Sequence, residues 1–113
     1  MLQSIFNAAR NSLAGVAAAA RNEGAFQVEL VVCVVLLPVG LWLGGTGVER
    51  ALLVSSVLIV LCAELVNTAL EAAVDRISLE IHPLAKRAKD IGSAAVMLAL
   101  VNAGVVWLLV LFS

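Results

Sequence analysis

The chain has 113 residues, 63% of them hydrophobic and 13% charged, with a mean hydropathy of +1.10 and a formal net charge of −1. Soluble domains carry about a quarter of charged residues, so this composition excludes that class and describes one integral membrane domain over residues 1–113. The net charge names no partner by itself, and no nucleic-acid partner is expected.

Residues 2–24 read as a surface helix. Ile5, Phe6, Ala9, Leu13, Val16, Ala17 and Ala20 recur at helical spacing opposite Gln3, Asn7, Arg10, Asn11 and Arg21. That amphipathic pattern suits the cytoplasmic face of a bilayer or the side of a helical bundle. Glu23 then falls where this helix turns into the first apolar run, residues 28–45, which holds Cys33 and, at its middle, Pro38. A kink at Pro38 is the ordinary expectation, since neighbouring helices can satisfy the freed carbonyl. The run shows no small-residue cleavage site and reads as a retained helix rather than a secretory signal.

Gly44-Gly45-Thr46-Gly47 forms a short turn into the second apolar run, residues 48–74, and a third run covers residues 91–112. Each is long enough to cross a hydrocarbon core about 30 Å thick. The intervening loop carries Arg76, Lys86, Arg87 and Lys89, the N-terminal segment adds Arg10 and Arg21, and Arg50 alone lies on the other side. The positive-inside bias therefore puts the N-terminus and this loop in the cytoplasm, with the glycine turn and the C-terminus outside. Cys33 and Cys62 both fall inside apolar runs without metal-type spacing and read as buried, structural thiols. Trp42 and Trp107 read as interface or packing aromatics, and Asn102 as an interhelical hydrogen bonder.

The second run contains what a membrane span least tolerates. Glu64, Asn67, Glu71 and Asp75 share a stripe covering less than a quarter of the helix circumference. An ionisable group in a span is costly and by default marks a functional site. Counting inward from Ala51, Glu71 lies about 30 Å along the helix, near the cytoplasmic interface, and Glu64 about 10 Å deeper. A reagent in water can meet Glu71 while a lipid headgroup meets Glu64. Glu23 and Glu71, two carboxylates at one level from different helices, suit a hard cation such as Mg²⁺, which shares its oxygen ligands with phosphates. Glu64, in apolar surroundings, is placed to take a proton from a hydroxyl. Lys89, with Lys86 and Arg87 before it, offers cations against phosphate charge. Phosphoryl transfer from a soluble nucleotide to a lipid alcohol is the chemistry this combination fits. No Walker A sequence or kinase-type glycine loop is present, and the glycine turn lacks a lysine.

The segment Glu64-Leu65-Val66-Asn67-Thr68-Ala69-Leu70-Glu71-Ala72-Ala73-Val74-Asp75-Arg76, with Ala88-Lys89-Asp90-Ile91-Gly92-Ser93-Ala94-Ala95-Val96 and Asn22-Glu23-Gly24-Ala25-Phe26, closely resembles the prokaryotic diacylglycerol kinase family. The likeness keeps constant spacing over nearly the whole chain. It implies an all-α integral membrane fold: a homotrimeric bundle in the bacterial inner membrane, each protomer with a surface helix and three transmembrane helices. MgATP would enter from the cytoplasm, diacylglycerol or another lipid alcohol would be phosphorylated, and sites would be shared between protomers. Carried over, Glu64 looks like the general base and, with Ser93, a lipid-binding residue. Glu23 and Glu71 look like Mg²⁺ ligands and, together with Asn67, Glu80, His82, Lys89 and Asp90, like ATP-binding residues. Where family members place an arginine and a tyrosine in the surface helix, this chain has Ser4 and Asn11, with Arg10 a candidate replacement.

The family divides between diacylglycerol and undecaprenol kinases; Asp90-Ile91-Gly92-Ser93-Ala94-Ala95 resembles the former, and His82-Pro83-Leu84-Ala85-Lys86 occurs in the latter too. A small proton-coupled exporter is a reading from another class, with Glu64 binding cation and proton in turn. Such an exporter needs its acid open to both sides, yet Ala51 to Ala63 offers only Ser55 and Ser56 as polar side chains. A non-enzymatic assembly scaffold is the third reading.

Overall fold

The computed structural model describes residues 1–22, 24–77 and 82–113. Four helices follow one another: α1 (Leu2–Asn22), α2 (Gly24–Leu43), α3 (Gly47–Ile77) and α4 (Pro83–Leu111). The last three are long and apolar enough to cross a membrane. α3 is the hub, packing against α2 and α4 along its length and meeting α1 along its C-terminal half.

Each junction has a local cause. At the α2–α3 turn the Thr46 Oγ1 accepts from the Glu49 N–H at 3.1 Å, while the Glu49 carboxylate accepts from the Gly45 N–H at 2.7 Å. Two amides left open at the helix start are thereby satisfied, in a variant of the capping box. The Arg50 Nε–H donates to the Gly44 carbonyl at 3.1 Å, and a Cβ at Gly44 would meet the Arg50 backbone nitrogen at 2.8 Å, so only glycine fits. α2 continues as helix through Pro38. α4 starts at Pro83, before the apolar run at Ile91, because His82 caps it: its Nδ1 accepts from the Leu84 N–H at 3.1 Å and Pro83 takes the first helical position.

The packed centre is small. Cys33 from α2, Val57 and Val60 from α3 and Ala99 from α4 are buried together, with Leu36, Leu37, Leu61, Ala103 and Trp107 around them. Ser56 is buried on α3; it donates to the Leu53 carbonyl and accepts from the Trp107 indole N–H at 3.1 Å, tying α3 to α4. Trp107 thus has a polar partner inside the bundle in addition to its packing. Gly40 lets α2 approach α3 closely, since a Cβ there would lie a tight 3.2 Å from the Leu53 side chain, with the indole at an ordinary contact distance of 3.5 Å. Val31, Val34, Val35, Leu98, Val101 and Leu108 are exposed on the outer faces of α2 and α4, as surfaces turned toward lipid or another helix are.

Two expectations are corrected here. Cys33 is buried but Cys62 is exposed, because α3 turns the latter away from α2 and α4. Asn102 is exposed on α4 and bonds to no neighbouring helix among the described residues, since α4 packs on α3 through its other face.

Candidate active site

The stripe on α3 is built as its spacing requires. Glu64 is buried at 8% exposure, and Asn67 and Glu71 one and two turns on are half-buried. The Asn67 Nδ2 donates to the Glu71 Oε1 at 3.2 Å, fixing the amide so that its oxygen is left over. That oxygen, Asn67 Oδ1, is buried without a donor among the described residues. α4 comes close enough to enclose it because residue 92 is glycine: a Cβ there would collide with Asn67 Oδ1 and lie 2.9 Å from Leu70.

Farther toward the C-terminal end of α3 the Lys89 ammonium reaches from α4 to the Asp75 carboxylate at 2.6 Å. Both side chains are substantially exposed, so the pair is worth little as stability and serves to hold a cation beside the stripe. Asp90 is exposed and paired with Lys86 at 2.7 Å on the same helix. Ser93 is exposed, and the His82 ring is engaged as a helix cap. Glu23 and Glu80 lie outside the described residues.

A cavity of about 550 Å³ opens between α1 and α3, lined by Ser12, Gly15, Val16, Thr68, Glu71 and Asp75. It brings small α1 residues opposite two of the stripe's carboxylates. Among the described residues no three His, Cys, Asp or Glu side chains converge on one point. Mg²⁺ needs no such cage, because it retains waters and takes several oxygens from phosphates. Glu71 at the cavity wall and the donorless, buried Asn67 oxygen fit that chemistry.

One site residue goes beyond the sequence reading. Glu29 on α2 stands within hydrogen-bonding reach of the Glu64 carboxyl, and Glu29 Oε2 and Glu64 Oε1 are both buried with no donor among the described residues. Glu29 also lines an apolar groove of about 300 Å³, with Val32, Leu36, Val57, Leu100 and Trp107. The signal was present: Glu29 is an ionisable residue within an apolar run, the criterion that singles out Glu64.

Comparison with known proteins adds three relatives and a family. The family described as prokaryotic diacylglycerol kinase matches residues 10–111. A protein named diacylglycerol kinase from Pseudomonas aeruginosa is 49% identical over 97% of this chain and 89% of its own length. The Haemophilus influenzae protein of that name is 45% identical, covering 98% of this chain and 94% of itself. That of Escherichia coli K12 is 44% identical, over 96% and 89%.

Proposed function

The chain belongs to the prokaryotic diacylglycerol kinase family, and from that premise we propose that it transfers the γ-phosphate of MgATP to the hydroxyl of diacylglycerol, giving phosphatidic acid. It is a membrane-embedded lipid kinase of the bacterial inner membrane. The observation that carries the site assignment is the α3 stripe, with buried Glu64 at its deep end and Lys89 beside its cytoplasmic end.

Glu64 accepts the proton of the lipid hydroxyl as its oxygen attacks phosphorus. Asn67 and Lys89 orient the nucleotide, and Lys89 stabilises charge spread over the phosphate oxygens. Asp90, Glu80 and His82 border the nucleotide on the cytoplasmic side, and Ser93 faces the lipid headgroup. Glu71, with Glu23, would hold Mg²⁺, which would supply neutralisation of the nucleotide's phosphate charge. The protomers assemble as a trimer with α1 on the cytoplasmic surface, and the N-terminus and the loop before α4 face the cytoplasm. Among the described residues three buried polar oxygens without donors, on Glu29, Glu64 and Asn67, support a site completed by substrates and a neighbouring protomer.

The test is direct. Purified protein in mixed micelles is given labelled ATP with diacylglycerol or with undecaprenol, before and after removal of Mg²⁺ by a chelator. The expected result is labelled phosphatidic acid, abolished by chelation and restored by added Mg²⁺. Label in undecaprenyl phosphate alone would reassign the lipid, and no lipid product with either alcohol would overturn the reading.

A further inference from the structure

Glu29 and Glu64 come from different helices, α2 and α3, yet their carboxyls stand within hydrogen-bonding reach of each other. Each has an oxygen buried from solvent with no described donor, Glu29 Oε2 and Glu64 Oε1. An ionised carboxylate only accepts hydrogen bonds, so two of them cannot bond to one another; one proton between them converts the repulsion into a bond. Among the described residues nothing nearby offers another remedy. Glu71 is the other charged residue that acts on Glu64, and it is acidic. The remaining ionisable neighbour is the Cys33 thiol, and α4 has no titratable side chain from Ile91 to Phe112.

We infer that Glu29 is the positioning residue for the general base, sharing one proton with Glu64 in the resting enzyme. The inference rests on the phosphoryl-transfer reading given above. In that state one proton lies in the hydrogen bond between the two carboxyls, which holds Glu64 in one orientation and leaves the pair able to accept one more. During transfer the lipid oxygen forms its bond to the γ-phosphorus and the bond from that phosphorus to the bridging oxygen breaks. The electron pair leaves with ADP, and the hydroxyl proton passes to Glu64. The pair then holds two protons and is neutral until one returns to water.

Two measurements test this, one of them without substrates. Infrared spectra of the purified protein in bilayers, with no ATP or lipid alcohol, are expected to show the C=O stretch of a protonated carboxyl that Glu29→Gln removes or displaces and Glu49→Gln leaves in place. In steady-state assays Glu29→Val is expected to lower kcat by roughly 10²-fold, the scale of a disabled general base, with the KM for MgATP changed less than about 3-fold. Glu29→Gln, whose amide can still donate to Glu64, should recover at least about ten-fold of that loss. An unchanged carboxyl band in Glu29→Gln, a Glu29→Val enzyme with wild-type kcat, or a glutamine variant as impaired as the valine one would each overturn the proposal. Failure of the phosphoryl-transfer reading itself would show differently, as no lipid product from the wild-type chain.

Discussion

General-base catalysis asks one thing of Glu64: a basic oxygen at the lipid hydroxyl. A glutamine keeps the volume and the hydrogen-bonding capacity of that side chain and removes the basicity. Glu64→Gln is therefore expected to preserve the fold and MgATP affinity while lowering the transfer rate by at least about 10²-fold. Near-normal single-turnover rates in that variant would take Glu64 out of the mechanism. Residue spacing alone made Glu64, Asn67 and Glu71 legible as a group, because a helix converts spacing directly into a shared face. Glu29 was not read from the sequence for a physical reason. It sits one residue inside the start of its apolar run, where a carboxylate ordinarily reaches the interface, and only the crossing of α2 over α3 turns it toward Glu64. His82 was legible as a loop residue, but its ring as the cap of α4 depends on backbone direction, which spacing does not encode.

At the scale of the helix, composition located the three apolar runs because twenty or so lipid-compatible residues have few alternatives. What composition hides is how closely two helices approach. Gly92 illustrates this: it is the residue that lets α4 close over the Asn67 amide, and nothing in its apolar neighbours announces it. Alanine within a helix gains up to about 1 kcal/mol over glycine from backbone entropy. At Gly92 the added Cβ must push aside Asn67 or Leu70, and overpacking costs about 1–3 kcal/mol, so the second effect wins. Gly92→Ala is expected to lower the unfolding midpoint in micelles and to reduce kcat, because the displaced group is Asn67. Gly104, farther along α4, has nothing within 4 Å of its ideal Cβ, so Gly104→Ala should raise that midpoint or leave it unchanged. Equal shifts in the two variants would contradict the close approach at Gly92.

For the whole molecule, the distribution of polar groups argues for more than one chain per site. Within a protomer Glu64 faces Glu29, whereas Lys89 is directed to Asp75, which follows Glu64 by 11 residues, about 16 Å of helix. The acid and the cation of one chain therefore sit at opposite ends of the stripe. In a trimer whose sites lie between protomers, the acid of one chain can meet the lysine of the next. Glu64→Gln and Lys89→Ala protomers, each inactive alone, are then expected to regain part of the lipid-phosphorylating activity when mixed under conditions that exchange subunits. Some interfaces in the mixed trimers contain both wild-type groups, while others contain neither. Independent folding of the two variants does not change this, since rescue depends on which chain contributes which group. If subunit exchange is demonstrated by differently tagged protomers and no activity returns, each site is built within a single chain, and the buried oxygens of Glu64 and Asn67 must find their partners in the substrates alone.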